Sequence, residues 1–417
     1  MGKDIITIEN IIKASYRLNG IVNETPMQLN RNLSERYGCQ VYLKREDLQA
    51  VRSYKIRGAY NFMVNLQADQ VAKGVVCASA GNHAQGVAYS CSLLGINSKI
   101  YMPTTTPSQK IRQVERIGKQ YVTVVLHGDT YDAAYNEAIT DCQANGKVFV
   151  HPFDDALIVE GQGTVGVEIL NAFNGNIDYL FVPIGGGGLS AGVGTYFKKL
   201  SPKTKIIGAE PAGAPSMKMA IEQNEVITLP QIDTFVDGAA VKRVGKLNFS
   251  ICKHVLDEIL LVPEGKICTS ILQLYNEDAI VVEPAGALSI AALDMYAEQI
   301  KGKNVVCIVS GGNNDIERMP DIKERSLVYE GLIHYFIINF PQRAGALRDF
   351  LEVVLSNGED ISLFQYAKKT NRNVGPALIG IELRHRTDYP LLIERMQTYS
   401  VDFTIVNENP KLFGYLI

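Results

Sequence analysis

Through residue ~310 the chain repeats one pattern: a short apolar, β-rich run and then a helical stretch. That alternation demands an α/β architecture built on largely parallel sheet, because each crossover helix must cover the strands it joins. The runs lie at 40–44 (QVYLK), 74–78 (GVVCA), 98–102 (SKIYM), 121–126 (YVTVVL), 177–184 (IDYLFVPI), 205–209 (KIIGA) and 304–309 (NVVCIV). Helices are expected over 82–95, 107–118, 129–146, 158–173 and 189–200. Pro107-Ser108 and Asp129-Thr130 supply start signals, and Gly95, Gly118 and Gly146 are placed to end helices. After ~325 the texture changes to β-α-β-β-α-β: strands over 331–341, 361–368, 377–384 and 401–406, with helices over 344–357 and 388–399. That order is the ferredoxin-like plan. Residues 1–325 are therefore read as one domain, with a smaller subdomain over about 50–150, and residues 326–417 as a second.

Bulk properties exclude several classes of function. A net charge of −3 disfavours nucleic acid as a partner. No uncharged apolar run approaches the ~20 residues of a membrane span. The N-terminus has no apolar signal region, and Ile6 stands where myristoylation wants Ser or Thr. The seven cysteines are scattered and form no C-x-x-C, which suits a reducing cytoplasm and argues against a zinc site.

Four segments carry possible chemistry. The first is Ser53-Tyr54-Lys55-Ile56-Arg57-Gly58, which follows Lys44-Arg45-Glu46-Asp47. Alone, it fits either a solvated helix end or a lysine that holds an aldehyde as a Schiff base, provided desolvation removes its proton. The second, Ser79-Ala80-Gly81-Asn82-His83, follows the strand GVVCA and opens a helix. Small residues there let a ligand approach the backbone, and a helix N-terminus favours an anion. The plain alternative is a capped helix with a structurally satisfied His83. The third is Gly185-Gly186-Gly187-Gly188-Leu189, between the strand IDYLFVPI and a helix. Its unobstructed N–H groups form a phosphate cradle. Gly186, Gly188 and Ala191 also fit G-x-G-x-x-A, with Glu210 placed as a ribose-binding acid, so a nicotinamide oxidoreductase is a competing reading. The fourth is Ser310-Gly311-Gly312-Asn313, at the end of the strand NVVCIV. A hydroxyl at a strand's carboxyl end faces the crevice where α/β folds bind ligands, and can meet a pyridine nitrogen.

Together, and with Asp237-Gly238-Ala239-Ala240-Val241 and Glu283-Pro284-Ala285-Gly286-Ala287, these segments resemble the fold-type II pyridoxal-phosphate (PLP) enzymes. The resemblance is closest to the biosynthetic threonine deaminases (threonine ammonia-lyases) and covers nearly the whole chain. It implies a two-subdomain, tryptophan synthase β-like catalytic domain followed by an ACT-like regulatory domain. It implies that Lys55 binds PLP covalently and acts as the catalytic base. Gly185, Gly186, Gly187, Gly188 and Leu189 would hold the phosphate, Asn82 the ring hydroxyl and Ser310 the ring nitrogen. Tyr54, where the family usually has Phe, and Glu283 would lie near the ring. Ser79, Ala80, Gly81, Asn82 and His83 would bind the substrate carboxylate.

The expected reaction is dehydration and deamination of L-threonine, and of L-serine, to 2-oxobutanoate (from threonine) and ammonia, at the entry to isoleucine biosynthesis. A serine dehydratase of the same fold is the nearest alternative, and a non-catalytic amino-acid sensor is another. Ser310 in place of an acid favours elimination over transamination. Ala80, where the related serine racemases carry a second serine, argues against racemisation. Those relatives bind a divalent metal with two acids near Glu210; here Ser216 replaces the second acid, and no metal is expected. Phe340 to Leu347 resembles the family's strand-to-helix turn, in which Arg343 and Gly345 shape a loop able to bind an amino acid; isoleucine and valine are the expected effectors, and a pure dimerisation module is the alternative. A homotetramer in the cytoplasm is the family's precedent.

Overall fold

The computed structural model describes residues 6–356, 358–366, 373–414 and 416. The chain divides into two compact units, one ending at Asp315 and the other beginning at Ile316.

In the first unit the strands are β1 (Met27–Asn30), β2 (Gln40–Arg45), β3 (Val75–Ala78), β4 (Ser98–Met102), β5 (Val122–Leu126), β6 (Val148–Phe149), β7 (Tyr179–Pro183), β8 (Lys205–Pro211), β9 (Glu258–Val262) and β10 (Asn304–Val309). They form two sheets. The larger has the order β1-β2-β10-β7-β8-β9 and is parallel except for β1. The smaller is parallel, in the order β5-β4-β3-β6. Strands covered on both faces read as unbroken apolar runs, and all four residues of β3 are buried. Phe62, Met63, Ala84, Val87 and Val114 cover one face of the small sheet, and Ala134 and Ala138 cover the other. Val165, Ile169, Val193 and Phe197, from two helices, pack on Leu180, Val182, Val306 and Ile308 of the large sheet.

The expected strands form within a few residues of their predicted bounds, and β1, β6 and β9 are additional. Several further helices have no counterpart in the expected ranges, among them Ile8–Leu18, Lys55–Met63, Lys246–Val255, Glu264–Asp278 and Pro284–Ala291. Gly95 and Gly146 end their helices in the left-handed conformation, but Gly118 does not. It is the last helical residue, and Lys119 takes the positive φ of 52° instead. A Cβ at Gly118 would lie 2.2 Å from Val122 Cγ2, so glycine is needed there for packing.

The second unit opens with the helix Met319–Tyr329. It continues through β11 (Ile333–Pro341), the helix Ala346–Val354, β12 (Glu359–Tyr366), β13 (Val374–Leu383), the helix Tyr389–Thr398 and β14 (Phe403–Ile405). Its antiparallel sheet has the order β12-β13-β11-β14, which is the ferredoxin-like arrangement. Positions 367 and 368 of the expected strand 361–368 lie outside the described residues, as do residues 1–5 of the N-terminal reading. Phe336, Ile338, Ile379 and Ile381 meet Phe350, Val354, Leu392 and Met396 in its core. Gly345 has φ +84° before the helix Ala346–Val354, and Arg343 is paired with Asp349 of that helix at 2.7 Å. Among the described residues no helix is long and apolar enough to cross a membrane. All seven cysteines are free thiols.

Candidate active site

Lys55 is the first residue of the helix Lys55–Met63, whose every other residue is buried. It is not a solvated helix end. Its ammonium donates to the Pro152 carbonyl oxygen at 3.0 Å. Burial lowers the Lys55 pKa to about 8, against the pull of the Glu283 carboxylate. Burial is therefore what frees a fraction of the amine for chemistry at neutral pH. The Tyr54 ring centroid lies 5.4 Å from the Lys55 nitrogen.

Three buried charges and the partly buried Glu168 anchor this helix. Arg57 is fully buried and grips Glu46 through Nε and Nη2 at 2.8 Å each. It also donates to Glu168 at 2.6 and 2.8 Å. Lys44, also fully buried, reaches Glu168 at 2.5 Å and the Thr25 carbonyl oxygen at 2.6 Å. Each charge has an opposite partner, which is the condition for keeping ions in an apolar interior.

Lys55 meets the end of β10 through the backbone. The Tyr54 N–H donates to the Ser310 carbonyl oxygen at 3.2 Å, and Ser53 bridges Gly311. The buried Ser310 hydroxyl donates to the Ala285 carbonyl oxygen at 3.1 Å. Asn82 begins the helix Asn82–Leu94, and its amide donates to Glu283 Oε1 at 2.5 Å. Asn313 in turn donates to Asn82 Oδ1 at 2.6 Å. Burial, reinforced by Asp237, raises the Glu283 pKa to about 7. Ser79 Oγ accepts from the Gly81 N–H at 3.2 Å and so shapes the loop ahead of Asn82. The His83 ring turns away, to the Val150 carbonyl oxygen at 2.8 Å, and burial then Lys55 lower its pKa to about 3. Its ring is a neutral structural group, so any part in ligand binding falls to its backbone.

The glycine run closes the site. Gly187 has φ +90° and caps the helix Gly188–Leu200. A Cβ on Gly186 would lie 2.3 Å from the Phe153 ring, and one on Gly188 3.0 Å from the Phe153 carbonyl oxygen. From Gly185 to Ser190 no main-chain N–H donates to a described protein acceptor, and the buried Ser190 hydroxyl is also without a partner. A row of unmet donors at a helix N-terminus fits a phosphate.

Glu210 does something else. Its buried carboxylate accepts from the Met217 and Lys218 N–H groups at 2.7 and 2.9 Å and caps the helix Ser216–Gln223. Burial raises its pKa to about 7. Ser216 donates to the Val241 carbonyl oxygen. The ribose-binding role that a nicotinamide enzyme requires of Glu210 is therefore overturned.

The segment His151 to Asp155 was not singled out from the sequence. It carries the Lys55 acceptor Pro152 and packs Phe153 on the glycine run. Its hydrogen bond to Lys55 uses a main-chain oxygen, and His151 bonds only to main chain within the turn, so neither leaves a motif.

A two-sheet unit, parallel but for one edge strand, with a desolvated lysine joined by the Pro152–Phe153 turn to a row of unmet N–H donors, fits a fold-type II PLP enzyme. Residues 18–311 match the family model described as pyridoxal-phosphate dependent enzyme, and 324–416 match the C-terminal regulatory domain of threonine dehydratase. The chain is 58% identical over 417 residues to the biosynthetic L-threonine dehydratase IlvA of Halalkalibacterium halodurans, covering 100% of both chains. It is 57% identical to the Bacillus subtilis protein of the same name, covering 99% of this chain and 98% of that one. The processed form of threonine deaminase isoform 2 from Solanum lycopersicum superposes with a TM-score of 0.74 at 41% identity, over 77% of this chain and 88% of that chain. The chain belongs to the biosynthetic threonine dehydratase family of PLP-dependent enzymes.

Proposed function

We propose that the chain dehydrates and deaminates L-threonine to 2-oxobutanoate and ammonia, the first step of isoleucine biosynthesis. The observation that carries this reading is the desolvated Lys55, joined through the Pro152–Phe153 turn to the unmet N–H groups of Gly185 to Ser190. Lys55 would hold the cofactor aldehyde, and Gly185, Gly186, Gly187, Gly188 and Leu189 its phosphate. Asn82 and Ser310 would meet the ring hydroxyl and nitrogen, with Tyr54 and Glu283 beside the ring. When bound, PLP supplies the electron sink for charge that develops at the substrate Cα.

The chain's own residues supply position and proton transfer. The loop from Ser79 to His83, at the start of a helix, offers N–H groups and the Asn82 amide to the substrate carboxylate. Lys55 takes the Cα proton as general base; a pKa of about 8 suits an operating pH near neutrality. The Pro152 carbonyl oxygen holds the resulting ammonium in place. The neutral Ser310 hydroxyl moderates charge withdrawal at the ring, so loss of the β-hydroxyl is favoured over transamination. Ala80 leaves the opposite face without a second acid.

The regulatory unit would bind isoleucine or valine at the turn containing Arg343 and Gly345. A homotetramer in the cytoplasm fits the family and the free thiols. The test is 2-oxobutanoate formation from threonine and pyruvate formation from serine, each with and without isoleucine. Threonine turnover that isoleucine lowers supports the reading. Absence of 2-oxobutanoate from a PLP-loaded preparation sinks it.

A further inference from the structure

The segment from His151 to Asp155 leaves the small sheet just after β6 and enters the helix Ala156–Ala172 beneath the large one. Its turn is held from within by His151. Nδ1 accepts from the Phe153 N–H at 3.2 Å and from the Asp154 N–H at 2.8 Å. The His151 and Phe153 rings pack edge to face at 4.8 Å. Three outward contacts depend on that turn. The Pro152 carbonyl oxygen faces the Lys55 ammonium at 3.0 Å. The Phe153 ring fills the space that a Cβ on Gly186 would need, and its carbonyl oxygen accepts from Asn248 at 2.9 Å. Asn248 also donates to the Gly186 carbonyl oxygen at 2.8 Å. The Asp154 carboxylate caps the helix Lys246–Val255 through the Lys246 and Leu247 N–H groups. One short turn thus touches Lys55 on one side and the glycine run on the other.

We propose that His151 is a positioning residue: by pinning the turn from Pro152 to Asp154 it sets the distance between Lys55 and the glycine run. The inference rests on the reading that Lys55 and the glycines hold the two ends of one PLP molecule. Covalent and phosphate contacts at opposite ends of a rigid ligand leave little tolerance in that spacing. Two accepted N–H bonds require an unprotonated Nδ1, and burial accordingly holds the ring below the usual histidine range.

Three variants test it. Asparagine places an amide oxygen near the Nδ1 position, glutamine places one near Nε2, and leucine supplies no acceptor. PLP retention on dialysis, visible absorbance, kcat and KM are measured, with circular dichroism of the cofactor-free protein as the control for folding. His151→Asn is expected to keep PLP affinity within about threefold, whereas His151→Gln and His151→Leu lose about tenfold or more, with kcat down about a hundredfold and KM nearly unchanged. If His151→Leu does not fold, the Asn and Gln pair decides. Gln and Leu variants that retain PLP and kcat like the parent overturn the proposal, as does an Asn variant that fails as badly as they do. Lys55→Ala is run in parallel. If it keeps the visible band, the reading of the site fails; if it alone loses the band, only the role of His151 fails.

Discussion

The Tyr54 N–H donates to the Ser310 carbonyl oxygen at 3.2 Å, which ties the residue before the site lysine to the residue that ends β10. The Gly312 N–H returns a bond to the Arg52 carbonyl oxygen at 2.9 Å. The tie is an antiparallel bridge of Ser53 with Gly311, beyond the parallel pairing of β2 with β10 that places the end of β10, with Lys44 opposite Ile308 and Arg45 opposite Val309. Sheet register therefore decides where Lys55 stands, and a slip of one residue would turn every side chain of the strand to the opposite face.

Arg57→Ala should be among the most damaging substitutions outside the site. It leaves Glu46 fully buried without its principal partner. Removing one partner of a buried pair costs about 3–5 kcal/mol. Denaturant unfolding should show that loss in the transition of the first unit. Arg57→Lys should recover little of it, since one ammonium cannot span both Glu46 and Glu168.

Gly186→Ala should weaken PLP binding more than it weakens the fold. The new methyl meets the Phe153 ring at 2.3 Å, and relief requires moving either that ring or the glycine run. A drop in PLP affinity of about tenfold or more, read by titrating the cofactor-free protein, is expected; overpacking of this kind typically costs about 1–3 kcal/mol. Parent-like affinity would show that the cradle does not depend on this contact.

Glu283 should make the cofactor-free protein lose stability as pH rises. Its pKa is raised from 4.5 to about 7 by burial and then by Asp237. The native state thus binds its proton more tightly than the unfolded chain does. That contribution is fully present below about pH 4.5 and is lost as pH climbs through about 7. Glu283→Gln should flatten the decline in urea midpoint between about pH 5 and about pH 8. A residual slope should remain from Glu210, whose shift has the same direction.

Lys110 and Asp237 form an ion pair at 2.8 Å, with side chains 23% and 43% exposed. Exposure limits its worth in stability to about 1 kcal/mol or less. Its location matters more. Lys110 lies on the helix Ser108–Gly118 of the small-sheet side, and Asp237 precedes Gly238, whose Cβ position is 3.6 Å from Glu283 Oε1. Lys110→Ala should raise the substrate KM and remove part of its dependence on salt, with Tm nearly unchanged. Equal salt dependence in parent and variant would dismiss the link.

What could be read in advance follows from how each element is buried. Strands such as β3 are covered on both faces and appear as apolar runs, and Gly185 to Gly188 announce a cradle by lacking Cβ atoms. The family and fold class inferred from these motifs agree with the matches over residues 18–311 and 324–416. The helix Lys55–Met63 was hidden because it is buried all round, with Arg57 and Asn61 inside. Of their partners, Glu168 lies far away in sequence, the Leu157 carbonyl oxygen has no side-chain identity, and Glu46, though nearby, sits on a different element. His83 looked like part of the ligand loop, yet its ring serves Val150. His151 was passed over because it bonds only to main chain.

The place of β10 between β2 and β7 has a consequence during synthesis. On the ribosome, β2 and Lys55 emerge early and β7 with the glycine run follows, but the strand that joins them is made only near the end of the unit. Until Asn304–Val309 arrives, the large sheet exists as two separate edges, each open to chaperones or to other nascent chains. The lysine then has no wall at Ser310, so a prematurely released fragment lacks the completed chamber in which its reactive amine is meant to work.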